Sequence, residues 1–171
     1  YQTTFAQELP IISDNNEISN AFEISKFKKL STKSEMIGKI SFYGKAITSL
    51  DGDVRISKRL QIPSYRLRGF EKGKVGPVEN NDYIGGNYLS TINISTTLPN
   101  ILEDFDNLDI GIFLDAANLW GVDYNSSIDE KSKIRSSMGV ALNLMTPIGP
   151  LSLSFANTLT KASSDKTETF R

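Results

Sequence analysis

The residues able to do chemistry in this chain are few in kind. It contains no Cys and no His, so disulfides, thiol nucleophiles, imidazole bases and the usual zinc constellations are excluded, leaving carboxylates, amines and hydroxyls. The richest cluster is basic: Lys58, Arg59, Arg66, Arg68, Lys72 and Lys74. It could hold phosphate, but it lacks interleaved aromatic stacking positions. Lys plus Arg is 19 against 20 Asp plus Glu, a net charge of −1, which gives no reason to expect a nucleic-acid partner. A solvated loop is the expectation for this cluster. Asp104, Asp106 and Asp109 have a faint look of calcium ligands, yet the glycine and terminal Glu of an EF-hand are missing; a polar turn is expected, with no metal and no cofactor. The pairing with most promise is Arg68 and Asp115. An Arg facing an enclosed space is costly to desolvate unless a carboxylate meets its fork, and Asp115 lies on the small, polar face of its own run.

The elements that would position these groups are read from period-two alternation. In 108–118, Leu108, Ile110, Ile112, Leu114 and Ala116 alternate with Asp109, Gly111, Phe113, Asp115 and Ala117. Runs 136–145 and 151–158 repeat the pattern, as do 88–98 and 35–46, while 18–30 and 1–13 are β-like but less regular. Thr146-Pro147-Ile148-Gly149-Pro150 is expected to be a tight hairpin turn. About seven long antiparallel strands follow, and apolar residues never run more than three together, so no membrane-spanning helix is present. The exception to the alternation is 51–87, which holds Gly52, Gly69, Gly73, Gly76, Gly85 and Gly86, half of the 12 glycines. A structureless stretch of that length is where function is expected.

Alternation fits both a soluble sandwich and a membrane barrel. The interleaved sets are Asp109, Gly111, Asp115 and Ala117; Ser137, Gly139, Ala141 and Asn143; and Ser152, Ser154 and Ala156. They contain no Lys or Glu. Small side chains suit a lumen packed against an inserted segment better than a face in bulk water, and runs of about ten residues match a tilted bilayer crossing. The reading favours an all-β, antiparallel up-and-down transmembrane barrel. Trp120, Tyr124, Tyr88 and Phe155 then fit an interfacial girdle.

Within 51–87, Arg66-Leu-Arg68-Gly69-Phe70 is followed by Gly76-Pro77 and by Ile84-Gly85-Gly86-Asn87 opening a strand; downstream come Phe113-x-Asp115 and Met145-Thr-Pro147-Ile-Gly149-Pro150-Leu-Ser-Leu-Ser-Phe155. In that order these resemble the BamA-type outer-membrane assembly factors, a superfamily that also includes two-partner-secretion transporters. The likeness covers the chain well from about residue 50, and residues 166–171 look like the approach to the family's final strand. It implies that Arg68, Gly69 and Phe70 anchor the loop in the lumen on Asp115. Two departures stand out: Ser95 where relatives carry a second acidic partner, and Ala117 where they carry Gly, so Arg68 should lean on Asp115 more than its relatives do. The resemblance further implies that 1–171 is a C-terminal portion of the barrel domain, incomplete at both ends, since about seven strands cannot close a barrel of roughly 16. No enzymatic activity is expected. The implied function is folding and inserting outer-membrane proteins in the bacterial outer membrane by lateral opening and strand templating. The implied partners are unfolded outer-membrane protein clients, assembly-complex lipoproteins reached through periplasmic modules outside this chain, and outer-membrane lipid and lipopolysaccharide. A polypeptide transporter of the same superfamily and a passive porin-like barrel are the alternatives.

Overall fold

The computed structural model describes residues 1–8, 17–31, 35–98, 108–131, 133–147 and 149–171. Seven strands form one antiparallel sheet in meander order: β1 (Gln2–Glu8), β2 (Glu17–Lys29), β3 (Ile37–Ser49), β6 (Tyr88–Leu98), β7 (Leu108–Trp120), β8 (Arg135–Thr146) and β9 (Gly149–Thr160). Between β3 and β6, the short strands β4 (Val78–Glu79) and β5 (Asp82–Tyr83) make a separate ribbon. The only helical turns among the described residues are two 3-10 turns, Ile56–Lys58 and Ser126–Ile128, and no helix is long and apolar enough to cross a membrane.

The sheet is inside out by the standards of a protein in water. Its apolar face is exposed: Phe22, Ile24, Ile40, Phe42, Ile92, Ile94, Ile112, Leu114, Met138 and Val140 all stand open. The alternate positions Ser41, Thr91, Asp115 and Ser137 are buried. Among the described residues no second sheet covers the apolar side, as a sandwich would need; what covers the polar side is the 51–87 loop. This is the pattern of a barrel wall, lipid outside and polar lumen inside. The sheet is not closed among the described residues, as a partial barrel requires.

The core accordingly lies between loop and wall. Val54, Leu60, Ile62, Leu67, Phe70 and Val75 of the loop pack with Ile47, Leu89, Ala117 and Leu119 of β3, β6 and β7. The loop runs from the end of β3 back to the start of β6, and Leu60 exchanges two backbone hydrogen bonds with Gly86. A segment of 37 residues read as irregular thus contains its own ribbon, turns and apolar core.

Two expectations about elements change. Gly149 and Pro150 belong to β9, paired with Thr146 and Met145, so the turn is shorter than 146–150 and only Pro147 of the described residues lies in it. Phe155 lies in mid-strand opposite Val140, half exposed and packed on Phe170 at 4.8 Å, so it is not at the girdle level. Tyr88 and Trp120 do pair at the strand ends, stacked at 5.7 Å. The readings of 9–13 as strand and of Asp104 and Asp106 as a polar turn fall outside the described residues; Asp109, expected in that same turn, is instead the second residue of β7, paired with Asn143.

Candidate loop-anchor site

Asp115 stands in the middle of β7, fully buried on the lumen face. Arg68 reaches it from the loop with a two-pronged fork: Nε donates to Oδ2 at 2.7 Å and Nη2 to Oδ1 at 2.9 Å. The Arg68 backbone N–H also donates to Oδ2 at 3.2 Å, and Asn93 Nδ2 donates to Oδ1 at 2.8 Å. Four donors therefore surround one buried carboxylate, which is the condition under which burying the charge is tolerable. The Arg68 guanidinium lies 3.4 Å from the Phe113 ring centroid, adding a cation–π contact two residues from its partner. Phe113 in turn covers Gly139, where an added Cβ would sit 2.7 Å from its ring and collide with the Phe155 carbonyl oxygen. The stack of guanidinium, ring and bare backbone requires glycine at 139.

The residue that assists Asp115 from the preceding strand is Asn93, not Ser95. The register pairs Asn93 with Asp115 and Ser95 with Phe113, so position 95 lies opposite Phe113 and not opposite the carboxylate. Asn93 Nδ2 also donates to the Arg66 carbonyl at 2.7 Å, tying the wall to the loop backbone on both sides of Leu67.

Gly69 follows the anchor with φ +87, a left-handed conformation, and an added Cβ would meet the Ala156 Cβ at 3.0 Å and the Ser137 Cβ at 3.3 Å. The Arg68 carbonyl accepts from Ser137 Oγ, and the Gly69 carbonyl accepts from Thr158 Oγ1 at 3.2 Å. Phe70 is buried in the loop core. Arg68, Gly69, Phe70 and Asp115 are thus gathered at one place. Gly76, Pro77, Gly85, Gly86 and Asn87 lie elsewhere, at the loop's other end: Pro77 accepts from the Ile84 N–H at 3.1 Å, and Asn87 donates to the Gly121 carbonyl at 2.9 Å and through Nδ2 to Asp123 Oδ1 at 2.6 Å. Pro147, Gly149 and Pro150 lie at the other end of the strands, where β8 passes to β9, with Gly149 paired to Thr146 and Pro150 to Met145.

The basic cluster is not a solvated loop throughout. Arg59 and Arg66 are buried. Arg66 Nη2 donates to Glu23 Oε2 at 2.8 Å while its guanidinium lies 3.9 Å from the Tyr43 ring centroid, and Arg59 lies 5.0 Å from that of Tyr124. Lumen carboxylates and aromatic faces draw these side chains inward, whereas Lys58, Lys72 and Lys74 stay exposed. No group of acidic residues among those described could hold a metal ion.

Sequence reasoning missed one cluster altogether. Arg135, the first residue of β8, is fully buried; its Nε and Nη2 donate to Asp165 at 2.9 and 3.1 Å, Nη2 also donates to Glu130, and Nη1 donates to the Lys133 carbonyl at 2.9 Å. Arg135 borders its strand run, and Ser163-Ser-Asp165 has the composition of any polar turn. Nothing in the spacing links the two.

A family model described as Omp85 superfamily domain matches residues 2–171. Among curated proteins, the chain is 30% identical over 108 residues to the outer membrane protein assembly factor BamA of Neorickettsia risticii (strain Illinois), a match covering 61% of this chain and 15% of that protein. Among solved structures, it is similar to BamA from Haemophilus ducreyi lacking POTRA domains 1-3, with a TM-score of 0.83 and 24% identity over 99% of this chain and 37% of that one. The chain therefore spans a minor part of the length of both relatives, and at that identity the structural likeness is one of fold.

Proposed function

Because the chain belongs to the Omp85 superfamily, we propose that it is the C-terminal part of the barrel of a BamA-like assembly factor, which folds and inserts other β-barrel proteins. Its place is the outer membrane, where the family resides. The observation that carries the reading is the four-donor burial of Asp115 by a loop that fills the lumen. A passive porin keeps its lumen open, and a loop packed on β3, β6 and β7 does the reverse.

The activity involves no covalent chemistry. Unpaired strand edges are strongly disfavoured in lipid, so a seam between the first and last strands of the full barrel that opens sideways offers its edge to a client strand, which adds by backbone hydrogen bonding. Arg68 holds the loop, and through it the wall around β7, in the arrangement that lets the seam open without collapse of the lumen. The partners are unfolded outer-membrane protein clients, with lipoproteins engaged by parts of the protein beyond this chain, and lipid and lipopolysaccharide at the wall.

Replacement of the full-length protein by Arg68→Ala in a depletion strain tests this. The expected outcome is a severalfold fall in folded porins in the outer membrane. Wild-type porin levels together with loss of one exported polypeptide would instead identify a dedicated secretion transporter.

A further inference from the structure

Asp165 has no part in the anchor motif, yet it receives as many hydrogen bonds as Asp115. Besides Arg135, its Oδ2 accepts from the Ala162 N–H at 2.6 Å and its Oδ1 from the Gly76 N–H at 3.3 Å. One buried carboxylate therefore joins three pieces: the wall at β8, the turn after β9, and the loop. Tyr83 of the β5 ribbon reinforces the junction by donating to the Ser164 carbonyl.

The chain leaving Asp165 does not go directly to the wall. Residues 166–168 first pair with the loop: Lys166 N–H donates to the Lys74 carbonyl at 3.0 Å, Glu71 N–H to the Lys166 carbonyl at 3.0 Å, and Glu168 N–H to the Gly69 carbonyl at 3.1 Å, with Phe70 bridged to Thr167. Only then does the segment join the edge of β9, where Ala156 N–H donates to the Thr169 carbonyl at 2.8 Å and Arg171 N–H to the Ser154 carbonyl at 3.0 Å. The strand bordering β9 is thus shared, its first half on the loop and its second on the wall.

We propose that Asp165 is a positioning residue that couples the loop to the segment following β9, so that loop and segment order and release as one body. Its carboxylate fixes where the segment departs, and that point sets the register of 166–168 against 69–74. Gly69 is the hinge of the coupling, because its carbonyl is shared between Glu168 of the segment and Thr158 of the wall. The inference rests on the assembly-factor reading only in giving the coupled body a task; the coupling itself belongs to this chain's hydrogen bonds.

Residue-resolved hydrogen exchange on the full-length protein in lipid nanodiscs tests it, with β6 and β7 amides as the internal reference. Asp165→Asn, which keeps the volume and removes the charge, is expected to speed exchange at Lys166, Glu168 and Glu71 together, on the order of a hundredfold, with the reference amides unchanged. Arg68→Ala is expected to speed Lys166 and Glu168 as well, although Arg68 forms none of the hydrogen bonds between segment and loop. Faster exchange at Glu71 alone in Arg68→Ala would overturn the proposal by showing two separate bodies. So would unchanged exchange in Asp165→Asn, or a uniform rise through β6 and β7, which marks a general structural role. Client insertion into vesicles, measured in parallel, separates the two readings: coupled exchange with normal insertion in Arg68→Ala sinks the assembly reading alone, and uncoupled exchange with defective insertion sinks this one alone.

Discussion

The two buried Arg–Asp pairs are built in opposite senses. At the first, the loop carries the arginine and the wall carries the acid; at the second, the wall carries Arg135 and the turn 162–165 carries the acid. Both carboxylates accept four hydrogen bonds. The side chain of Arg68 keeps 20% of its surface open, whereas those of Arg135 and Asp165 are both at 0%. A pair with a residual opening to the lumen can exchange its partner for water as the loop moves. A pair sealed on every side can be broken only at the full cost of stranding charge. The first reads as a latch and the second as a rivet.

That contrast orders the expected effects of mutation. The largest belongs to Arg135→Ala, which leaves Asp165 and Glu130 facing each other without a counter-charge; a loss of about 3–5 kcal/mol in urea unfolding from lipid vesicles is expected. A loss below that of Arg68→Lys, measured alongside, would erase the distinction between latch and rivet. Arg68→Lys keeps the charge and loses the fork, and about 1–2 kcal/mol is expected together with a slower client-insertion rate. The smallest effect is reserved for Arg55→Ala. Arg55 meets Glu17 at 2.8 Å but is itself 46% exposed, so less than about 1 kcal/mol is expected, shrinking further in high salt.

The two pairs were also unequally legible in the sequence. Arg68 and Asp115 each sit in an ordered motif, and alternation alone puts Asp115 with Gly111, Phe113 and Ala117 on one face. Arg135 sits just outside the 136–145 run, at a bulge between Ser136 and Ser137 where the period-two rule breaks. Asp165 sits in a turn whose composition could belong to any surface. The place of Asn93 beside Asp115 was hidden for a related reason: pairing of β6 with β7 depends on the connection between them, and strand registers cannot be counted across a connection of unknown geometry. The wall was readable because its chemistry repeats every second residue. The loop interior was not, since the inward turn of Arg59 and Arg66 draws on partners distant in sequence, Tyr124 for the one and Tyr43 and Glu23 for the other.

The exposed apolar face of the sheet has one more consequence. Averaged along the chain, mean hydropathy is −0.25, no greasier than an ordinary water-soluble protein, because the nonpolar side chains of the wall's outer face are interleaved with small and polar ones. The greasiness is a property of the pleat and is absent from the unpleated thread. Such a polypeptide can cross an aqueous compartment as an extended string without declaring its destination, and becomes an amphiphile only at the moment its strands align beside a bilayer.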